Sequence, residues 1–153
     1  DEAADLAKLG MLITKTANEQ LGFSHPGERD WNHISFCAFC GPLSSTSSGL
    51  KGKSAVAVRP GKIDRSPTGT AVSARMAIMH AKGLLQVGQT FDALSIIDSK
   101  FTGRIIKEET VSGKPAIIPE ITGRAWITGT HQHLLDPDDP WPEGYRLKDT
   151  WGF

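Results

Sequence analysis

Between Gly69 and Gly83 lies a run that a solvent-facing helix does not ordinarily carry. Ala71, Val72, Ala74, Met76, Ala77, Ile78, Met79 and Ala81 surround a helix over about Thr70–Lys82 almost completely. A helix that is apolar all round is normally buried, and its alanines let neighbouring elements approach closely. Gly83 is placed to end it in the left-handed conformation. The chain has 153 residues, the size of one domain. The rest of it is therefore expected to wrap this helix.

The other segments read mainly as strands. Residues 2–21 form an amphipathic helix, with Leu6, Leu9, Ile13, Ala17 and Leu21 at three- and four-residue steps and Gly22 as its stop. A polar loop over 24–32 leads to a strand at His33–Phe39, with Ile34, Phe36 and Ala38 on one face. Residues 41–53, rich in Ser and Gly, read as a flexible surface loop, and Ser54–Arg59 as a second strand. A short strand near Leu94–Ile97 is followed by a hairpin. Its arms are Gly103–Val111 and Ala116–Glu120, joined through Ser112-Gly113. Ala125–Leu135 reads as a further strand. The tail over 136–153 holds Pro137, Pro140 and Pro142 and reads as extended. The fold class is α+β.

The chemistry concentrates just before the apolar helix. Residues 61–75 read Gly-Lys-Ile-Asp-Arg-Ser-Pro-Thr-Gly-Thr-Ala-Val-Ser-Ala-Arg. A strand ending at Arg59 enters a Pro/Gly turn carrying Asp64, which opens into a helix at Thr68-Gly69-Thr70. The first turn of a helix has free N–H groups and the positive end of the helix dipole, which suits an anion. Gly69, without a Cβ, lets a ligand approach the backbone. A carboxylate beside an anion cradle suits a zwitterion such as an amino acid. Asp64 can equally be a turn acid that binds local backbone, and Thr68 can be a helix cap.

This segment resembles the second active-site motif of the proline racemase superfamily, whose racemases and epimerases read Asp-Arg-Ser-Pro-Cys-Gly-Thr. Thr68 stands where they carry a catalytic cysteine, and that replacement is similar to the trans-3-hydroxy-L-proline dehydratase branch. Trp31-Asn32-His33-Ile34-Ser35-Phe36, Val58–Ile63 and Ile118–Gly129 also resemble the C-terminal half of the family. The other family motif, a Pro-Cys-Gly-His with the first catalytic cysteine, does not occur in this chain. The resemblance therefore implies the C-terminal lobe of a two-lobed enzyme, over residues 1–153, with the N-terminal lobe absent. It implies a diaminopimelate epimerase-like lobe, a mixed barrel-like sheet around a buried central helix, with the active site between two lobes.

The implied reaction begins with removal of the Cα proton of proline or hydroxyproline and uses no cofactor. Thr68 is the implied catalytic position, and Asp64, Gly69 and Thr70 bind substrate. Asp64 would meet the ring nitrogen, and the N–H groups of Gly69 and Thr70 the carboxylate. A racemase needs a proton carrier on each face of Cα. A thiol serves near neutrality; a threonine hydroxyl has no comparable acidity. A dehydratase needs only one base, since the 3-hydroxyl leaves as water to give a pyrroline-2-carboxylate. The alternatives are a 4-hydroxyproline 2-epimerase or proline racemase, and a non-catalytic imino-acid-binding remnant.

Other signals point elsewhere or nowhere. Basic and acidic residues balance at 17 each, and no basic patch suggests nucleic acid. No apolar run approaches the 18 or more residues of a membrane span. Two cysteines outside any framework suggest a reducing, cytoplasmic setting. Besides its small-molecule substrate, the implied partners are the missing lobe and a second copy in a homodimer. Cys37 and Cys40, three apart on a strand, point to opposite faces and suit neither metal nor disulfide. His131 and His133 share a strand face without a third ligand, so no metal site is assigned. His33 and His80 read as packed or hydrogen-bonded, and Trp31, Trp126, Trp141 and Trp151 as packing in the core or between lobes. Arg65 and Arg75 read as partners in salt bridges.

Overall fold

The structure is a computed structural model that describes residues 2–145. In chain order its elements are α1 (Glu2–Gln20), β1 (Cys37–Ser45), β2 (Gly49–Val58), β3 (Lys62–Ile63), α2 (Gly69–Ala81), β4 (Thr90–Leu94), β5 (Lys100–Val111) and β6 (Lys114–Thr122). One sheet runs in the order β1-β2-β4-β5-β6, with β3 paired to β2. Among the described residues only β2 and β4 pair in parallel; the other pairs are antiparallel. A parallel pair needs a crossover, and α2 supplies it. The result is a curled, mixed half-barrel, in keeping with the expected α+β class.

The core lies where α2 crosses the sheet. Val72, Met76 and Met79 recur at helical spacing and pack with Leu85, Phe91, Ala93 and Ile105. Contact is close because β5 carries Gly103 under the helix, where an added Cβ would lie 2.3 Å from the Met76 sulfur. The helix is covered on this face only. Ile78 is 55 % exposed, and Ala74 and Ala81 are exposed too. The expected central helix, buried all round, is thus not what this chain builds: its strands reach one side. The far side borders a hollow of about 640 Å³, walled opposite by Phe23, Trp31 and Phe36. Gly83, at φ 71°, ends the helix as expected, and the Leu84 N–H closes onto the Met79 carbonyl.

α1 packs on the other face of the sheet and differs from expectation in orientation. Its buried residues are Ala7, Gly10 and Thr14, not the leucine row. Leu9, Ile13 and Leu21 are 47, 42 and 81 % exposed. The reason is close approach: a Cβ on Gly10 would sit 2.3 Å from the Ala57 Cβ on β2, so the narrow face of the helix meets the strands. Gly22, at φ 66°, stops α1 by bonding the Ala17 carbonyl. Asn18 then pins the following loop. Its Nδ2 donates to the carbonyls of Thr14 and Ile34, and its Oδ1 accepts the Ile34 N–H, all within 2.7–2.8 Å.

Several strand boundaries move. The strand expected at His33–Phe39 starts at Cys37, and the expected loop over 41–53 is mostly the β1–β2 hairpin. The register slips between Cys40 and Leu43, and there Arg75 of α2 donates to the Gly41 and Lys53 carbonyls at 2.8 and 3.1 Å. A helix residue distant in sequence therefore satisfies backbone that the bulge leaves open. The strand expected near Leu94–Ile97 lies earlier, at β4, and is followed by a tight turn. The Ser112-Gly113 hairpin is present as expected, with both turn residues at positive φ. Residues 125–135, expected as a strand, have no regular structure. Their alternation finds no neighbouring edge among the described residues. Ile127 and Leu134 are 94 and 81 % exposed. The tail continues without helix or strand to Tyr145, and residues 146–153, with Trp151, lie outside the described residues. No helix among the described residues is long and apolar enough to cross a membrane.

Candidate functional site

The motif is the connection from β3 to α2. The Asp64 N–H donates to the Val56 carbonyl at 2.9 Å, extending the β2–β3 pairing by one residue. Pro67 is buried beneath the turn. Between them the polar groups close on one another. Asp64 Oδ1 accepts the Ser66 N–H at 2.8 Å, and Oδ2 accepts the Thr68 hydroxyl at 2.5 Å. The Thr68 N–H donates to Ser66 Oγ at 3.1 Å. Partial burial acts to raise the pKa of Asp64. The hydrogen bonds from Thr68 and Ser66 outweigh it and hold the carboxyl below its ordinary value, so Asp64 is an anion at neutral pH.

Thr68 stands at the N-cap position of α2 but makes no capping bond with its side chain. The helix-cap role open to it in the sequence is not the one it plays. Its hydroxyl proton is committed to Asp64, so toward a ligand Thr68 offers only lone pairs. Its backbone is at φ 60°, ψ 103°, outside the regions a β-branched residue favours. Such strain recurs at ligand sites and switches, where surrounding structure enforces it.

The first helical bond joins the Val72 N–H to the Thr68 carbonyl. The N–H groups of Gly69, Thr70 and Ala71 precede it and have no partner among the described residues. A Cβ built on Gly69 meets nothing within 4 Å, and its φ lies outside the glycine-favouring range. Neither crowding nor backbone conformation within this chain demands glycine there. The structure thus brings Asp64, Thr68, Gly69 and Thr70 together: a carboxylate, a hydroxyl oxygen and unbonded amides within one turn.

The flanking residues depart from expectation. Arg65 is exposed and Arg75 binds backbone carbonyls and lies over the Phe91 ring at 5.2 Å; neither forms an ion pair among the described residues. His80 is hydrogen-bonded as expected, to the Leu85 carbonyl and to Glu108 at 2.8 and 3.0 Å. His33, by contrast, is exposed without a hydrogen bond among the described residues. Trp31, Trp126 and Trp141 are all at least 59 % exposed and none is in the core. Cys37 and Cys40 are free thiols. Burial, then the neighbouring Cys40, pushes the Cys37 thiol up, while Cys40 lines the hollow beside α2. The His131 and His133 rings lie 6.4 Å apart, on irregular chain rather than a strand. Among the described residues no group of three or more His, Cys, Asp or Glu is placed to hold a metal.

Two groups of residues escaped the sequence reading. Ser66 was readable in principle, since an Asp two residues before it is the pattern of a side-chain-closed turn. Ser95 and Ser99 were not, because their link to the motif is tertiary. Ser99 Oγ donates to the Arg65 carbonyl at 2.7 Å.

Comparison with known proteins bears on the fold and the family. The family model described as proline racemase matches residues 1–146. A solved structure of a probable proline racemase from Agrobacterium radiobacter, with bound carbonate, is 37 % identical with a TM-score of 0.74, over 98 % of this chain and 43 % of that one. A hydroxyproline epimerase from Agrobacterium vitis, with bound trans-4-hydroxy-L-proline, is 35 % identical with a TM-score of 0.74, over 98 % of this chain and 42 % of that one. The chain thus spans less than half the length of these solved relatives. A match over almost every residue, with the motif at the mouth of α2, leaves one conclusion: the chain belongs to the proline racemase family.

Proposed function

We propose that this chain is the C-terminal lobe of a trans-3-hydroxy-L-proline dehydratase. In that reading the substrate carboxylate rests on the free amides of Gly69 and Thr70. Those dipoles stabilise the charge that develops as the Cα proton leaves. Asp64, an anion, receives the ring ammonium. The base is a cysteine of the other lobe. The 3-hydroxyl of the trans substrate lies on the same ring face as the Cα proton, so the cysteine that takes that proton can hand it to the departing hydroxide as water, while Thr68, on the opposite face, supplies no second acid or base. The proton and the hydroxide leave from adjacent carbons, and a pyrroline-2-carboxylate remains. The isolated chain, lacking the base, is inert in this account.

The observation that carries the reading is the Thr68–Asp64 hydrogen bond. It commits the Thr68 hydroxyl proton to a carboxylate, so that face of the substrate has a hydrogen-bond acceptor and no acid or base near neutral pKa. Proton NMR in D2O tests it, with the whole protein that carries this chain. Trans-3-hydroxy-L-proline should be consumed to a pyrroline carboxylate, while trans-4-hydroxy-L-proline keeps its Cα configuration. Inversion of the second compound with deuterium uptake would overturn the proposal. That outcome is the second reading, a hydroxyproline epimerase or proline racemase, which the names and 35–37 % identity of the solved relatives favour.

A further inference from the structure

The turn between β4 and β5 does more than reverse the chain. Ser95, at the end of β4, is fully buried. Its N–H donates to the Ser99 carbonyl at 2.9 Å, and its Oγ accepts the N–H groups of Ile97 and Ser99 at 3.3 and 3.2 Å. Those bonds would close the turn by themselves. The two hydroxyls, however, also lie 2.7 Å apart, and Ser99 Oγ reaches out of the turn to the Arg65 carbonyl. A carbonyl can only accept, so the Ser99 proton goes to Arg65. The bond between the hydroxyls must then be donated by Ser95. The direction of the chain is fixed: Ser95 to Ser99 to Arg65.

The Arg65 carbonyl and the Ser66 N–H belong to one rigid peptide unit. The carbonyl end is held by Ser99, and the N–H end donates to Asp64 Oδ1 at 2.8 Å. Orienting one end of the plane orients the other. We infer that Ser99, with Ser95 behind it, is a positioning residue that aims the Ser66 N–H and so sets the rotamer of the Asp64 carboxylate. The bonds run in series from donor to acceptor and end on an anion, the arrangement in which each bond strengthens the next. The β4–β5 turn is thereby part of the site, although it contributes no atom to a ligand. The consequence for substrate rests on the reading of Asp64 given above; the positioning itself does not.

The test is the Ser66 amide signal in proton–nitrogen NMR of this chain across the acid range. An amide that donates to a carboxylate moves strongly as that carboxylate titrates. In the unaltered chain the Ser66 amide should follow Asp64. In Ser99→Ala that response should be lost, and Ser99→Thr, which keeps a hydroxyl, should restore it. A merely structural serine would lower the melting temperature and leave the response intact, and that result overturns the inference. Should Ser99→Ala fail to fold, Ser95→Ala decides; it keeps the Ser99 hydroxyl but removes the donor behind it, together with the acceptor of the Ile97 and Ser99 N–H groups. A reduced Ser66 response supports the series, and an unchanged one ends it. In the whole protein, Ser99→Ala should raise KM about tenfold, about what one charge-assisted hydrogen bond is worth. A lost amide response with unchanged KM would uphold the positioning and refute the role of Asp64 in binding substrate.

Discussion

Replacing Gly69 by alanine separates fold from function at one atom. In a helix, alanine is favoured over glycine because the unfolded chain has less freedom to lose, by about 0.4–1 kcal/mol where the backbone is compatible. Here it is compatible: φ is ordinary for an L residue and the new methyl group meets nothing within 4 Å. For a domain of this size each kcal/mol moves the melting temperature by about 2–4 °C. Gly69→Ala should therefore raise the melting temperature of this chain by about 1–4 °C, read by circular dichroism. In the whole protein the same methyl group stands where a carboxylate must approach the Gly69 and Thr70 amides. Loss of one such donor costs about 10²–10³ in rate, so activity should fall by at least that much. A lower melting temperature of the chain would show that glycine serves the fold. Full activity in the variant would refute the close approach. If the chain gains stability but the whole protein loses it, the space before Gly69 belongs to the other lobe rather than to a ligand.

Other consequences are as direct. Asp64 has a lowered folded pKa, so its hydrogen bonds stabilise the chain above the ordinary carboxylate pKa of about 4 and are lost as pH falls through the folded value. Urea unfolding between neutral and acid pH should show that slope, and Asp64→Asn should flatten it. Gly10→Ala drives a methyl group into Ala57; overpacking of about 1–3 kcal/mol should outweigh the gain in helix propensity and lower the melting temperature. Thr68→Cys restores a proton carrier, and the whole protein bearing it should exchange the Cα proton of trans-4-hydroxy-L-proline with D2O; its failure to do so would remove Thr68 as the discriminator. Pyrrole-2-carboxylate, a planar mimic of the deprotonated substrate, should bind the whole protein in calorimetry and lose that heat in Gly69→Ala.

The legible parts of the sequence were those whose cause is local. The stop at Gly83, the Ser112-Gly113 turn and the strand–turn–helix of the motif each follow from one or two residues whose backbone preferences admit few alternatives. The errors share a different cause. The row Leu6, Leu9, Ile13, Ala17 and Leu21 reads as the inward face because it recurs at helical spacing, yet Ala7 and Gly10 face the strands because close packing selects the small side. Residues 41–53 read as a loop because Ser and Gly punctuate chains. Pairing of β1 with β2 and of β2 with β4, with the guanidinium of Arg75 at the bulge, makes them strands. Residues 125–135 alternate as a strand should, but alternation specifies a surface and not the edge that must meet it. At the site, Asp64 and Thr68 were found as members of a motif. That they bond each other depends on the left-handed turn at Thr68, which no propensity predicts for threonine.

The grip of Asn18 on Ile34 ties together the two sides of the sheet. α1 lies on one face of the sheet, while the loop it holds carries Phe23, Trp31 and Phe36 to the hollow on the other. Only a carboxamide offers a donor and an acceptor side by side there. Hydrolysis of that amide to aspartate would replace the donor with a second acceptor facing the carbonyls of Thr14 and Ile34. Asn18→Asp makes that change directly, and should loosen the wall of the hollow while the sheet remains intact.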